Sequence, residues 1–442
     1  MKKILILIIT AVFAYGCEID EQINPNAPAL DGILQSASKA ELNNLTAGAV
    51  AGMRNNHSIY VTATGTITRE LYLFDADPRN RTDLIGTTGS LDNNSFYTTA
   101  NWTSRYRVIK NCNILLEALD VAEADVTDAE KDGYRGFAKT IMAHQFLILW
   151  GAYFDSGIRL DVNDPDNPGP VVTNTSNVLD EIRTMLDDGL ADLQGAEFAF
   201  RMSSGFAGFD TPATFAEFNR ALAARAALYA GDMAAARTHL TDSFFDINGD
   251  LDIGPKMTFS TSPGDFLNDL FKPSGQNGNQ IFASDTWVDE AQANDLRVEN
   301  KVNQRAETFT SSGITVQYET NLYESAISSI DIIRNEELML IYAEANIGFD
   351  NTEALAGINA VRSAAGLVDL AGTVTVEDVL LERRYSLWCE GHRMVDLRRT
   401  GNLNETYITF DNITTTDEDG NVIPADQEVF DKFPLPQTEV GS

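Results

Sequence analysis

Residues 382–401 read ERRYSLWCEGHRMVDLRRTG, and this stretch carries more information about the fold than any other. Charged side chains recur there at helical spacing, and Glu390, Arg393 and Asp396 are three apart, so we predict that they line one helix face. Glu382 and Glu390 could also be paired carboxylates of a glycosidase. Because neighbouring Arg side chains lower a carboxyl pKa and disfavour a general acid, we interpret Glu382, Glu390, Arg393 and Asp396 as a structural ion network.

Strong helical periodicity lies on the N-terminal side of this stretch. Residues 102–122 predict one helix, and Thr127 with Glu130 forms a capping box that opens a second, mostly apolar one. Residues 218–240 and 332–364 each predict two Ala-rich helices around a short polar turn. These segments resemble tetratricopeptide helix pairs, which stack because one pair cannot bury its apolar face alone.

Long polar segments interrupt the predicted helices. They are rich in Gly, Asn, Asp, Thr or Pro, and they cover residues 65–99, 154–175, 244–329 and 402–430. The third segment contains strand-like pieces at 280–287 and 313–320. A rigid helical frame that carries long polar loops predicts recognition of a ligand by the loops.

Residues 382–401 resemble the charged helix motif of the SusD/RagB family of nutrient-binding lipoproteins, with departures at Ser386 and Trp388. The matching residues are Glu382, Arg383, Arg384, Glu390, Gly391, Arg393, Asp396, Leu397, Arg399 and Gly401. Further segments resemble the family in the same order, namely Trp102 with Tyr106 and Ile109, residues 342–345, residues 358–367 and residues 433–439. The resemblance implies a mostly α, SusD-like fold. In that fold, four tetratricopeptide-like helix pairs join a second helical and loop region with a few short strands, in a single body over residues 41–442.

The resemblance also implies a function. A SusD-like protein captures oligosaccharides or peptides at the cell surface and delivers them to a SusC-like TonB-dependent outer-membrane transporter, for which it acts as a lid. It catalyses nothing itself and needs no cofactor. Two alternatives stay open at this point: a surface glycan-degrading enzyme, and an adhesion or scaffold lipoprotein that takes no part in transport.

The N-terminus has the pattern of an exported lipoprotein. Two Lys residues precede an apolar run at 4–14, which is too short to span a bilayer and is typical of a signal peptide over residues 1–16. Cys17 follows a lipobox-like sequence, so we predict that it carries the lipid anchor. Residues 17–40 are acidic and contain Pro, which predicts a flexible tether. The expected location is the outer membrane, facing the cell exterior.

Charge and cysteine content narrow the alternatives. The net charge of -33 would repel phosphate backbones, which argues against nucleic-acid binding. No later segment is apolar for long enough to cross a membrane. Cys112 and Cys389 lie in apolar helical contexts and are predicted to be buried free thiols, with a disulfide between them as the alternative.

Candidate ligand-binding residues are aromatic and polar side chains in the predicted loops. A sugar ring stacks its C–H face on an aromatic ring while amides and charged groups take its hydroxyls. Trp287, with Asn294 downstream, is our leading candidate. A second candidate group lies within the first predicted loop, 65–99: Tyr72, Phe74, Asp75, Asp77 and Arg79, followed by Tyr97.

Metal-ligating patterns are weak. His57, His144, His239 and His392 are far apart in the sequence without metal-ligand spacing, so we predict no metal site. Residues 246–252 have the acidic alternation of a calcium loop, but the Gly and the bidentate Glu are not where such a loop needs them. We interpret that segment as an Asx-rich turn, with calcium as the alternative.

Overall fold

The computed structural model describes residues 30–164, 167–417 and 419–440 of the chain. Helices dominate, and in chain order they are α1 (Leu30–Ile33), α2 (Lys39–Gly52), α3 (His57–Ile67), α4 (Phe96–Ala118), α5 (Asp128–Tyr153), α6 (Thr175–Leu193), α7 (Pro212–Tyr229), α8 (Met233–Thr241), α9 (Asp285–Asp289), α10 (Leu296–Lys301), α11 (Asn335–Ala345), α12 (Asn351–Ala364), α13 (Val376–Ser386) and α14 (Arg393–Arg399). The strands are β1 (Leu71–Phe74), β2 (Ile158–Arg159), β3 (Val171–Val172), β4 (Lys256–Met257), β5 (Gln280–Ala283), β6 (Val302–Ser311), β7 (Ile314–Thr320), β8 (Ile330–Asp331), β9 (Thr414–Thr416) and β10 (Val422–Pro424). The prediction of a mostly α fold with a few short strands is confirmed.

Four helix pairs form the frame of the described part. Helix α2 packs against α4, α5 against α6, α7 against α8, and α11 against α12. Each pair touches the next through the contacts α4–α5, α6–α7 and α8–α11, so the pairs form one continuous stack. Helices α13 and α14, which carry the charged motif, pack on α11 and on α3. Stacking buries on each pair the apolar face that a single pair would expose.

Helix α5 lies at the centre of this stack because it is apolar on nearly all sides. Its N-terminus has the predicted capping box: the Thr127 hydroxyl accepts a hydrogen bond from the Glu130 N–H at 3.2 Å, and the Glu130 carboxylate accepts one from the Thr127 N–H at 2.9 Å. Every residue from 140 to 153 is buried. Gly136 permits the close contact with α6, since a Cβ at that position would lie 2.6 Å from Leu193.

The strands lie in the segments predicted to be long loops. One four-stranded antiparallel sheet has the order β1-β5-β7-β6, and β2–β3, β4–β8 and β9–β10 form two-stranded ribbons. Strand β1 pairs with β5 so that Phe74 is opposite Gln280. Ser312 and Gly313 join β6 to β7 with φ of +53° and +81°, the conformation that a two-residue hairpin turn requires. The pieces predicted to be strand-like are therefore largely strands.

The first long helix begins earlier than predicted. Helix α4 starts at Phe96, inside the segment 65–99 that we predicted to be a loop, and Tyr97 and Thr98 are buried. Aromatic and β-branched residues at its start have low helix propensity, so the local sequence did not favour a helix there. Burial of these side chains against the rest of the protein overrides that preference.

The packed body also begins earlier than predicted. The predicted signal peptide and Cys17 lie outside the described residues. Residues 30–40, which we assigned to the tether, already contact the body: Ile33 and Ala37 are buried, and Ala37 forms a parallel bridge with Ala122. The free length of the predicted tether is shortened accordingly.

Two further expectations concern the cysteines and membrane spans. Cys112 and Cys389 are both buried and free, in agreement with the interpretation as core thiols, and burial raises the pKa of both. Within the described residues, none of the helices combines the length and the apolar character that crossing a membrane requires.

Candidate functional site

The charged motif at 382–401 forms two short helices instead of one. Helix α13 ends at Ser386, and α14 begins at Arg393. Between them the chain turns, with Cys389 and Gly391 at φ of +64° and +81°. The prediction that Glu390, Arg393 and Asp396 line one helix face is therefore wrong, because the Glu-Gly dipeptide breaks the helix.

The motif's charged side chains instead pair with other elements. Glu390 lies 2.7 Å from Arg334, and Arg393 lies 3.6 Å from Glu70. Glu382 pairs with Arg297 at 2.7 Å and also with Arg362. These are long-range contacts that hold the motif against α10, α12 and the segments that precede β1 and α11.

Asp396 has the most enclosed of these pairs. Its carboxylate lies 2.7 Å from Arg383 and 3.0 Å from Arg399, and the Asp396 and Arg383 side chains are both about 1–2% exposed. Burial alone would raise the pKa of Asp396, but the two guanidinium groups outweigh burial and lower it to about 2. A carboxyl group held ionised in this way is a poor proton donor, which disfavours general acid catalysis here.

Three of the four histidines come together in the interior. His57, His144 and His392 line one cavity of about 50 Å³, while His239 lies beside Arg220 on another part of the stack. Burial lowers the pKa of all three, that of His57 to about 3, so they are neutral at physiological pH. The cavity has room for one or two water molecules and not for a sugar ring. Among the described residues, no group of three or more His, Cys, Asp and Glu side chains is arranged to hold a metal ion.

The leading candidate, Trp287, is part of the core. Its side chain is 0% exposed and lies 5.2 Å from the Tyr385 ring and 5.0 Å from the Trp388 ring. A ring enclosed in this way has no free face on which a sugar could stack, so the prediction of Trp287 as an exposed platform is wrong. Asn294 is exposed in the turn that precedes α10, where its φ is +69°. Because Trp287 is buried, Asn294 and Trp287 do not form a common ligand-binding surface.

The two tyrosines of the second group also point inward. Tyr72 is fully buried, and its hydroxyl donates to the Asp411 carboxylate at 2.8 Å. Tyr97 is 1% exposed, and its hydroxyl donates to Asp83 at 3.0 Å. Their role in the described structure is to fix the neighbouring loops, so neither is a stacking platform.

Asp75 and Arg79, in contrast, lie at the surface in one loop. Asp75 accepts hydrogen bonds from the Asp77 N–H at 3.1 Å and from the Asn80 side chain at 2.8 Å. The guanidinium of Arg79 pairs with Asp77 at 2.6 Å and lies 5.2 Å from the centre of the half-buried Phe96 ring. This loop and the start of α4 therefore present a carboxylate, a guanidinium and an aromatic ring side by side.

Strand pairing brings a second polar loop to the same place. Because Phe74 is opposite Gln280 in the antiparallel pair of β1 and β5, Asp75 and Asn279 leave the sheet next to each other. The ammonium of Lys272 donates to the Asn279 side chain at 2.8 Å, and Asp75 is among the carboxylates that act on it. We call this place the sheet-end surface, defined by Asp75, Asp77, Arg79, Phe96, Lys272 and Asn279.

The acidic segment 246–252 folds as Asx turns. Asp246 accepts from the Asn248 N–H at 2.9 Å, and Asp250 accepts from the Asp252 N–H at 3.0 Å. The Asn335 side chain donates to the carbonyl oxygens of Asp246 and Asp250, which fastens the segment to α11. These contacts account for the shape of the turn from its own residues and Asn335.

Residues 298–442, which include the charged motif and helices α11 to α14, match the sequence model of the SusD family. This C-terminal part of the chain carries the sequence pattern of the SusD/RagB family. No match was found among curated protein sequences.

Solved structures share the fold over nearly the whole chain. A surface glycan-binding protein A from Bacteroides thetaiotaomicron in complex with laminarihexaose is 16% identical, with a TM-score of 0.68, over 91% of this chain and 97% of that chain. A SusD superfamily protein from Bacteroides vulgatus is 17% identical, with a TM-score of 0.66, over 91% and 96% of the two chains. At these identities the likeness establishes the fold.

Sequence reasoning missed half of the sheet-end surface. Phe96, Lys272 and Asn279 were not among the predicted residues, because their proximity to Asp75 depends on the pairing of β1 with β5, about 200 residues apart in the chain. Two features of the sequence could have indicated these residues. One is the aromatic residue next to Tyr97, and the other is the Asn- and Gly-rich loop before the predicted strand at 280–287.

Proposed function

We propose that this protein is a member of the SusD/RagB family and a cell-surface lipoprotein, anchored through Cys17, that captures oligosaccharides and passes them to a SusC-like TonB-dependent transporter. It acts as the lid of that transporter and catalyses no reaction. The export signal and lipobox-like sequence at the N-terminus support the anchor. A relative of the same fold, named as a surface glycan-binding protein and solved with laminarihexaose, favours oligosaccharides over peptides as the ligand.

The observation that carries the proposal is the composition of the sheet-end surface. Hydroxyl groups of a sugar need donors and acceptors at fixed positions, and Asp75, Lys272 and Asn279 offer both from two adjacent loops. Arg79 lies over the Phe96 ring, so a sugar can take hydrogen bonds from the guanidinium beside an aromatic face. Both loops are anchored to one sheet, which keeps these groups in place when a ligand arrives.

Replacing Arg79 with Gln is expected to weaken oligosaccharide binding about tenfold, since hydrogen bonds to a charged group contribute roughly 1.5–3 kcal/mol. Calorimetric titration with laminarihexaose and a panel of neutral oligosaccharides and peptides measures the effect. Arg135→Gln is the matched control, because Arg135 forms an equally exposed pair with Asp132 at 2.7 Å on α5. Equal affinities of the two variants would exclude Arg79 from the site, and binding of peptides alone would contradict the proposed ligand.

The proposed partner is tested separately. Affinity purification of the protein from detergent-solubilised outer membrane is expected to recover a TonB-dependent barrel protein in stoichiometric amount. Recovery is expected to be the same with Arg79→Gln, because the sheet-end surface is assigned to the ligand. If the protein is recovered without a barrel partner, the role as a transporter lid is refuted and the scaffold alternative is favoured.

A further inference from the structure

Glu319 is a buried carboxylate close to the sheet-end surface. It lies on β7, opposite Phe282 of β5 and Asn303 of β6, and is 2% exposed. Burying a carboxylate costs free energy unless hydrogen-bond donors or a cation compensate it. The strands pair through main-chain hydrogen bonds, so a charge at this position does not serve the sheet itself.

The donors that compensate Glu319 come mostly from one loop, residues 273–279. The Gly275 N–H donates to both carboxylate oxygens, at 3.1 and 3.0 Å, and the Ser274 hydroxyl donates to one of them. Gln280, which follows the loop, donates to the other oxygen at 3.3 Å. The carboxylate therefore fastens the loop at both ends of its base.

Arg305 of β6 holds the middle of the same loop. Its guanidinium donates to the Asn277 side-chain oxygen at 2.7 Å and to the Gln276 carbonyl at 3.2 Å. The guanidinium also lies 3.8 Å from Glu319, whose charge attracts it. One buried carboxylate thus acts on the loop directly and through Arg305.

The loop held in this way presents two carboxamides to the solvent. Asn277 and Asn279 are both exposed. Asn279, like Asn277, has its side-chain oxygen bound to a cation, in this case Lys272 at 2.8 Å. Lys and Arg side chains only donate, so they orient each amide with its oxygen towards the cation. The Nδ2 groups, for which the described residues provide no acceptor, are left to donate to a ligand.

We propose that Glu319 is a positioning residue of the sheet-end ligand site, which extends along the 273–279 loop to Asn277. It holds the loop so that Asn277 and Asn279 donate to hydroxyl oxygens of one bound oligosaccharide. This role requires that the sheet-end surface binds oligosaccharides, so the inference rests on the proposed function. When the carboxylate is removed, fewer molecules have the loop in its binding conformation, and the apparent affinity falls in proportion.

Glu319→Gln is expected to weaken oligosaccharide binding about tenfold, since the loop is then ordered in roughly a tenth of the molecules. The substitution keeps the shape of the side chain and removes the charge that Gly275 and Arg305 face. Calorimetric titration with laminarihexaose and the other neutral oligosaccharides of the Arg79 panel measures the affinity. In the ligand-free variant, amide hydrogen exchange at Gly275 is expected to be about tenfold faster, because its N–H loses its acceptor.

Glu344→Gln is the matched control for this substitution. Glu344 is as buried as Glu319, at 3% exposed, but it pairs with Arg399 in the helical frame. This variant is expected to unfold at lower urea concentration and to bind the oligosaccharides with unchanged affinity. A merely structural role of Glu319 would produce that same pattern, with stability lost and affinity kept.

A double-mutant cycle separates positioning from a general loss of structure. Replacing Asn277 and Asn279 with Ala removes the groups that the loop presents. Adding Glu319→Gln to that variant is expected to cause no further loss of affinity, because the two changes act on one contact. If the losses multiply instead, Glu319 affects binding by another route and the inference is overturned.

Ser274→Ala provides the same test if Glu319→Gln does not fold. It removes one donor and keeps the carboxylate, so we expect about a threefold loss of affinity, which the two Ala substitutions again abolish.

Two further results would overturn the inference: wild-type affinity in both loop variants, or an equal loss of affinity in Glu344→Gln. Either result leaves the capture function standing, because the wild-type protein still binds. If the wild-type protein binds none of the oligosaccharides, the proposed function itself is refuted, and this inference with it.

Discussion

Asp396→Asn is expected to lower the free energy of unfolding by about 3–5 kcal/mol, the usual effect of removing one partner from a buried ion pair. The substitution keeps the shape of the side chain and removes its charge. Arg399 keeps Glu344 as a partner at 2.8 Å, but Arg383 has no other carboxylate within ion-pair distance among the described residues. A buried guanidinium would then be left uncompensated. Urea unfolding at neutral pH measures the effect as a lower midpoint with an unchanged slope.

Asp132→Asn is the matched control for this substitution. Asp132 pairs with Arg135 at 2.7 Å, as Asp396 does with Arg383, but both side chains are more than one third exposed. Exposed pairs contribute about 0–1 kcal/mol because water screens them. If the two variants lose equal stability, burial does not determine the strength of these pairs.

The effect of Asp396 has a defined pH dependence. Its folded pKa is lowered to about 2, whereas an unfolded Asp titrates near 4. Between these values the unfolded chain binds more protons than the folded chain, so the stabilisation is complete above about pH 4 and is lost as the pH falls towards 2. The difference in stability between wild type and Asp396→Asn is therefore expected to narrow over that range.

Gly391→Ala is expected to lower the free energy of unfolding by about 2–5 kcal/mol, through two contributions that add. Gly391 has φ of +81°, a conformation that costs an L-residue roughly 1–2 kcal/mol. A Cβ there would also lie 2.5 Å from Cε1 of Tyr60, whose ring is held in place because its hydroxyl donates to the Gly391 carbonyl at 3.0 Å. Overpacking of this kind costs about 1–3 kcal/mol. Thermal and urea unfolding measure the sum.

Gly401→Ala separates the two contributions. Gly401 has a similar φ of +74°, but a Cβ there would meet no atom within 4 Å. We expect this variant to lose only the conformational part, about 1–2 kcal/mol. Equal losses in the two variants would mean that the Tyr60 ring moves aside and that its contact with the Glu-Gly turn is not rigid.

Local patterns predicted the helical frame well because each helix carries its own signal. The capping box of Thr127 and Glu130 is present as predicted, and the apolar character of α5 predicted its central position. The start of α4 was missed because Phe96 and Tyr97 favour extended structure locally and become helical only through burial. The break between α13 and α14 was missed because the three-residue spacing of Glu390, Arg393 and Asp396 continues across Gly391, where the chain turns with φ of +81°.

The candidate site was harder to predict because it depends on contacts between distant parts of the chain. Trp287 lies in a segment with the composition of a loop, yet it packs against Tyr385 and Trp388, roughly 100 residues later. Three histidines without any shared spacing line one cavity for the same reason. In the group within the first loop, only the side chains that follow the end of the strand, Asp75, Asp77 and Arg79, remain accessible.

Buried arginines make the protein surface more negative than the net charge of the whole chain indicates. Among the described residues, eleven Arg and Lys but only eight Asp and Glu are buried, an interior excess of three positive charges. Since the whole chain has a net charge of -33, its remaining residues share -36. The other side chains cannot neutralise this negative charge, so a cloud of mobile cations from the solution must do so. At roughly 0.15 M salt this cloud is about 8 Å thick, and in fresh water neighbouring copies of the protein would repel one another over several times that distance.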